Sequence, residues 1–265
     1  MNNFIFLLSI NENFQPSVYA EEMTNQQLLN FKTTCIVIPA YNEEKSLPEV
    51  LSKIRVLLPE ASVVVINDCS NDHTESVLKD EDVTALNLPI NLGIGGAVQT
   101  GIKYASVNGF EIVVQCDGDG QHRVEEIHKL VEHLIQTESD ICIGSRWLSD
   151  SRFSSSKSRR AGMKIISTLL KFRHGIIITD PTSGFRAFNL KAIHCFADYY
   201  PQVFPEVEVL LLAKASRMKV AEISTPMNPR IYGRSSIGKF KSLYYMTLTI
   251  SLILIGSSFK GLTHE

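Results

Sequence analysis

The 265-residue chain has no excess of positive charge: 26 Lys and Arg stand against 28 Asp and Glu, for a formal charge of −2. Binding that relies on bulk phosphate neutralisation needs a basic surplus, so no nucleic-acid partner is expected. Cysteine is scarce as well. The five present, Cys35, Cys69, Cys116, Cys142 and Cys195, are odd in number, widely spaced and without a C-x-x-C pair, which leaves no visible disulfide or zinc framework. With 10 prolines and 15 glycines the chain is neither collagen-like nor of low complexity. No G-x-x-x-x-G-K-[ST] stretch occurs, so a P-loop nucleotidase is not supported. The nearest approach to a dinucleotide fingerprint, NLGIGGA at 91–97, carries glycines at 93, 95 and 96 and follows a third strand rather than a first, which argues against NAD.

Long hydrophobic runs are missing too. Residues 4–10 (FIFLLSI) are apolar but short and lack a preceding cation, although Val18, Tyr19 and Ala20 resemble a signal-peptide cleavage site. Residues 1–33 therefore read as a poorly ordered leader. Residues 243–259 carry no charge and lie between lysines, yet as a helix they would reach only about 26 Å, short of a hydrocarbon core of about 30 Å. Residues 241–265 are expected to form an apolar C-terminal helix that either packs on the domain or meets a membrane surface.

What is present is 44% hydrophobic residues, enough for a sizeable core. From residue 34 to about 145, β-branched runs (35–38, 63–66, 83–88, 112–114, 141–143) alternate with stretches of helical period, such as Leu47, Val50, Leu51, Ile54 and Ile127, Leu130, Val131, Leu134. This βα alternation predicts an α/β fold, a mostly parallel sheet with helices on both faces. Ligands in such folds bind beyond the carboxyl ends of the strands. Four loops there are unusually polar: 39–43 (PAYNE), 67–72 (NDCSND), 117–122 (DGDGQH) and 144–146 (GSR). A strand near 220–223 and helices from 159 to 172, after Arg186 and after Phe204 complete the expected elements.

Asp117 and Asp119 place two carboxylates on one glycine-containing turn, a pattern suited to a hard cation, Mg²⁺ or Mn²⁺. Asp72 reads as a helix cap and Asp68, at a strand's carboxyl end, as an acceptor for a nucleoside. The basic residues gather late, among them Arg146, Arg159, Arg160, Arg186, Arg230 and Arg234, and suit an anionic ligand.

Taken in order, PAYNE, DCSND, NLGIGG, DGDGQH, GSR, TSGFR at 182–186 and RIYGRS at 230–235 resemble the family 2 glycosyltransferases, most closely the dolichyl- or polyprenyl-phosphate sugar synthases. The resemblance covers 34 to about 240 and implies a GT-A, Rossmann-like domain. It implies that Pro39, Tyr41, Glu43, Ile66, Asp68, Gly95, Cys116, Asp117 and Gly118 line the nucleotide sugar. Asp117 and Asp119, with Gln121, would hold the metal. Catalytic roles would fall to Asp119, Arg146, Arg230 and Glu208, and Arg160, Arg186 and Ser235 would meet phosphate or acceptor.

The implied partners are a nucleotide diphosphate sugar and a lipid phosphate, with the enzyme peripheral at the cytoplasmic face of a membrane. A hydroxyl acceptor would need a carboxylate base, for which Glu206, Glu208 and Asp180 are candidates. A polysaccharide-extending transferase, a nucleotidyltransferase and a non-catalytic sugar-nucleotide binder are the alternatives. The chain departs from the family pattern at Asn67, Cys69, Arg123, Val124 and Ser236. Cys69 replaces a glycine, so a different turn is expected after the second strand.

Overall fold

The computed structural model describes residues 31–148, 157–229 and 239–255. The first 30 residues of the expected leader lie outside that set, whereas Phe31 is already buried in the core. Seven strands form one sheet: β1 (Thr34–Ala40), β2 (Ser62–Asn67), β3 (Thr84–Asn87), β4 (Ile112–Gln115), β5 (Ile141–Ser145), β6 (Arg186–Phe188) and β7 (Val220–Ser224), in the order β3-β2-β1-β4-β6-β5-β7. Every residue of β1 is buried, as the unbroken apolar run TCIVIPA requires of a central parallel strand.

The helices between strands bury the stripes read from periodicity. α1 (Leu47–Leu57) turns Leu47, Val50, Leu51 and Ile54 inward. α2 (Thr74–Lys79) is short. α3 (Gly93–Val107) lies so close to β1 that a Cβ on Gly101 would overlap the Val37 side chain. α4 (Ile127–Gln136) buries Ile127, Leu130, Val131 and Leu134. Where the family pattern has Asp-Pro, Arg123 and Val124 lead into a 3-10 turn, Val124–Glu126, that no side chain caps.

Among the seven strands of the described residues, β6 breaks the parallel order. β6 runs antiparallel between β4 and β5, with Arg186 opposite both Gln115 and Ile143. It brings the preceding loop, 179–185, to the sheet edge where β1, β2, β4 and β5 end. α5 (Lys157–His174), α6 (Leu190–Asp198) and α7 (Pro205–Ala215) follow the expected helices. α8 (Lys239–Ile255) packs on α5: Gly162 leaves room for the Met246 thioether, and His174 Nε2 lies 2.9 Å from the Ile253 carbonyl oxygen. Among the described residues no helix is long and apolar enough to cross a membrane. All five thiols are free, and burial pushes those of Cys35 and Cys142 up to about 12.

Candidate active site

The acidic loop after β4 is held from several sides. The Asp117 amide donates to His122 Nδ1 at 2.9 Å, so that nitrogen carries no proton and the ring is in its Nε2–H form. Nε2 sits 3.6 Å from Asp117 Oδ2, and the ring stacks on Phe185 with centroids 4.9 Å apart. Asp119 Oδ1 accepts from the Gln121 amide at 2.9 Å. Gly120 takes a φ of +73°, a backbone shape that suits glycine. Asn228 clips the loop from outside through bonds to the Gln121 and Gly120 carbonyls at 2.9 and 3.3 Å. On the inner side Gly184 lies so near that an added Cβ would stand 3.6 Å from both Asp117 carboxylate oxygens. Gly118 rests on Ile38 and Pro39 of β1.

Asp119 is buried and Asp117 is about one-third exposed at 34%. Burial first, then the negative charges of Asp117, Asp119 and Glu125, hold the Cys116 thiol well above its usual range. Among the described residues no group of three or more His, Cys, Asp or Glu side chains could share an ion. Two carboxylates fit a hard cation that takes its remaining oxygens from phosphate or water, the habit of Mg²⁺. His122 is spent on the loop backbone, so the donor set is oxygen rather than nitrogen.

The loops after β1 and β2 are knitted together. Asn42 donates its amide to Ser70 Oγ and accepts from the Asn71 amide, and Asn71 Nδ2 reaches the half-exposed Tyr41 hydroxyl at 3.2 Å. Glu43 accepts from Ser46 Oγ at 2.5 Å. Asp72 caps α2 through the Thr74 amide and hydroxyl and also takes the Glu44 amide. Burial raises its carboxyl, but these bonds outweigh that and leave it below the usual range. Cys69 sits at φ +58°, so the turn keeps the left-handed residue that a glycine would supply. Neighbouring hydrogen bonds, Ser70 N to Asn67 Oδ1 among them, hold this backbone in place.

Several expected ligand contacts have other jobs. Asp68, almost wholly buried, gives one oxygen to the Leu92 amide at 2.7 Å and the other to the Gly93 amide at 2.9 Å, and so anchors the start of α3. Gly95 permits close packing, since a Cβ there would stand 2.6 Å from the Pro201 carbonyl oxygen. The side chains of Ile66 and Cys116 point into the two core clusters, one on each face of the sheet, which leaves their backbone atoms to face the loops.

Arg186, expected at a phosphate, is 1% exposed. Its guanidinium donates to the carbonyls of Ser183 (2.8 Å), Pro181 (3.2 Å) and Glu206 (2.6 Å), because β6 carries it under the 179–185 loop and not over it. Glu208, expected as a catalytic group, accepts the Phe204 amide at 2.8 Å and closes the first turn of α7. Glu206, two residues earlier, has its carboxyl raised: burial raises it, its own backbone amide, Arg186 and Arg146 lower it, the Asp117 charge raises it, and the net shift is upward. Arg146 grips Asp180, with Nε to Oδ2 at 2.6 Å and Nη2 to Oδ1 at 2.7 Å, and reaches Thr182 Oγ1 at 3.1 Å. Burial lowers the Arg146 guanidinium, but the Asp180 bonds and charge outweigh it, so its pKa is raised and the charge is fixed. Arg160 lies over the Trp147 ring at 5.6 Å. Arg230 and Ser235 lie outside the described residues.

Sequence reasoning passed over His122, Gly184, Phe185, Asn228 and the anchoring part of Asp180. The D-P-T-S-G-F run and the histidine closing DGDGQH were the signals available for the first three and the last.

A mostly parallel sheet with a paired-carboxylate loop on its carboxyl edge is a scaffold on which glycosyltransferases are built. The chain belongs to Glycosyl transferase family 2, whose sequence profile it matches over residues 35–196. It is 28% identical over 215 residues to the UDP-N-acetylglucosamine–dolichyl-phosphate N-acetylglucosaminyltransferase of Methanococcus voltae, covering 72% of this chain and 84% of that one. To the undecaprenyl-phosphate mannosyltransferase of Micrococcus luteus it is 32% identical over 159 residues, 58% of this chain and 65% of the other. The fold is shared with glucosyl-3-phosphoglycerate synthase from Mycobacterium tuberculosis, crystallised with Mn²⁺, UDP-glucose and phosphoglyceric acid. That match has a TM-score of 0.65 at 18% identity, over 96% of this chain and 87% of that one.

Proposed function

We propose that this enzyme transfers a sugar from a nucleotide diphosphate sugar to a polyprenyl-type lipid phosphate, with inversion and with Mg²⁺ or Mn²⁺ at Asp117 and Asp119. The observation that carries the reading is the paired carboxylate loop, locked by His122, Asn228 and Gly184, at the carboxyl edge of the sheet. The acceptor class is supported by the two relatives, both named for prenyl-phosphate substrates. The metal is supported by the donor set and by the Mn²⁺ of the structural neighbour.

When bound, the cation would neutralise the departing diphosphate. The chain's own residues do the positioning. Asp68 fixes the α3 start beside the nucleoside loops, and the Phe185–His122 stack sets the height of the acidic loop. Arg146, held in one rotamer by Asp180, keeps a fixed positive charge near Asp117 and Glu206, where a phosphate-bearing acceptor gains from preorganised charge. A phosphate monoester, with a second pKa of about 6, is already ionised at neutral pH and needs no general base. That agrees with the commitments of Asp180 to Arg146 and of Glu208 to the Phe204 amide.

A second reading, transfer to a glycan hydroxyl, draws on Glu206, whose carboxyl is raised by burial and by the charge of Asp117. Glu206→Gln separates the two: a loss of turnover of about a hundredfold or more is expected of a general base, and near-wild-type turnover of a phosphate acceptor. Melting scans with UDP-, GDP- and dTDP-sugars and Mn²⁺ test donor binding. One donor class is expected to raise the melting temperature only with metal present, and no response to any donor would contradict the reading.

A further inference from the structure

α5 carries a marked excess of positive charge. Its 18 residues, KSRRAGMKIISTLLKFRH, hold six Lys and Arg and no Asp or Glu, while the rest of the chain sets its remaining 20 cations against all 28 acids. Lys171, Arg173 and His174 in the last turn suit the helix dipole, but Lys157, Arg159 and Arg160 stand in the first turn, where the dipole disfavours cations. Helix stability therefore does not account for them.

The exposed face is ordered as well as basic. At 3.6 residues per turn, Arg160, Lys164 and Lys171 fall along one edge. Ile165 and Phe172, seven residues apart, fall along the other, with the exposed Ala161 and Thr168 between. Ile165 is 47% exposed and Phe172 83%, and Ile177, just past the helix end, is 75%. A cationic edge beside protruding apolar side chains matches the boundary between anionic headgroups and acyl chains. The flank of the helix beyond the cationic edge meets the site: Ser167 Oγ donates to the Thr179 carbonyl, and Thr182 Oγ1, which also takes a bond from Arg146, contacts Met163 Sδ.

We propose that the outer face of α5, through Lys164, Lys171, Ile165 and Phe172, docks the enzyme on an anionic lipid bilayer and so sets the Arg146 end of the site beside the headgroup layer. The proposal rests on the lipid-phosphate reading and names the surface that presents that acceptor. It assigns docking to this helix rather than to the C-terminal segment.

The test uses the full chain and extruded vesicles of phosphatidylcholine, alone or mixed with phosphatidylglycerol. Wild type is expected to sediment with the mixed vesicles and not with the neutral ones. Lys164→Ala with Lys171→Ala is expected to lower partitioning roughly thirtyfold, from the surface attraction of two cations, and Phe172→Ser to lower it several-fold. Melting temperatures should stay at the wild-type value, since all three side chains are exposed. Transfer to a short, water-soluble prenyl phosphate should be unchanged in these variants, whereas transfer to acceptor embedded in mixed vesicles should fall with binding. Equal binding to neutral vesicles, unaltered binding by the variants, or self-association through this face that Phe172→Ser abolishes would each overturn the proposal. Absence of transfer to the short phosphate by wild type would instead contradict the reading of the reaction, so the two failures are distinct.

Discussion

Arg146 and Asp180 form a two-pronged pair, 2.6 and 2.7 Å, in which the carboxylate is entirely buried and the guanidinium is the only cation bonded to it among the described residues. Behind it Glu222 of β7 accepts the amides of Thr179 and Asp180 at 2.7 and 2.8 Å. Burial raises the Glu222 carboxyl, those bonds lower it, the Asp180 charge raises it, and the net shift is upward. The chain of contacts ties three segments, the end of β5, the middle of β7 and the 179–185 loop, to one another.

Removing one member of that pair leaves the other buried and uncompensated. Asp180→Ala is expected to cost about 3–5 kcal/mol of stability, read by urea unfolding. Arg146→Lys keeps the charge but not the fork, so the fold should survive while kcat/KM falls tenfold or more. Unchanged kinetics in Arg146→Lys would remove Arg146 from the site.

Gly184→Ala puts a methyl 3.2 Å from Gln115 Nε2 and 3.6 Å from both oxygens of Asp117. The Gln115 amide must give by a few tenths of an ångström, while the Asp117 contacts are ordinary ones; the methyl narrows the approach to that carboxylate and is expected to raise the Mn²⁺ concentration giving half-maximal activity by about tenfold, with little change in melting temperature. Metal titration of activity in both proteins checks it.

Cys69 holds a left-handed backbone at φ +58°. The strain is about 1–2 kcal/mol, and glycine would return about 0.4–1 kcal/mol of that through a freer unfolded chain. Cys69→Gly should therefore stabilise by roughly 0.5–1 kcal/mol in denaturant unfolding.

Asp140, far from the site, joins three elements by accepting from the Asn189 amide group, Lys191 Nζ and the Lys219 backbone. Burial raises its carboxyl, but the Lys219, Asn189 and Lys191 contacts outweigh it and the net shift is downward. A lowered folded-state pKa means the stabilisation is present above the unfolded value of about 3.9 and is lost as pH falls through the folded value. Asp140→Asn should cost about 1–3 kcal/mol at neutral pH, and the difference from wild type should shrink once pH drops below about 4.

The first half of the fold was legible because its strands and helices are long enough to show periods of two and 3.6, and each βα unit ends in a polar loop. β6 was not: three residues carry no period, and its place is fixed by hydrogen bonds to β4 and β5, strands distant in sequence. The acidic pair was visible as residue types at a spacing, and its supports were not, since the Gly184 approach and the Asn228 clip arise only on folding. Arg186 shows the limit most clearly. A guanidinium that ties buried carbonyls and one that meets solvent are the same letter, and only the folded chain shows that Arg186 donates to three backbone carbonyls. Glu206 and Glu208 differ in the same way, by which of two near positions in one helical turn meets the Phe204 amide.

The central claim, metal-assisted transfer at Asp117 and Asp119 to a lipid phosphate, is tested most directly by following radiolabelled sugar from the nucleotide donor into a polyprenyl phosphate extracted in organic solvent. Asp119→Asn keeps the size of the side chain and the acceptor for the Gln121 amide while removing the charge. Wild type should label the lipid only with Mg²⁺ or Mn²⁺ present, and Asp119→Asn should lose a hundredfold or more of that rate, as expected when charge stabilisation of a leaving group is removed. Labelling by Asp119→Asn at the wild-type rate, or by wild type after complete chelation, would contradict it.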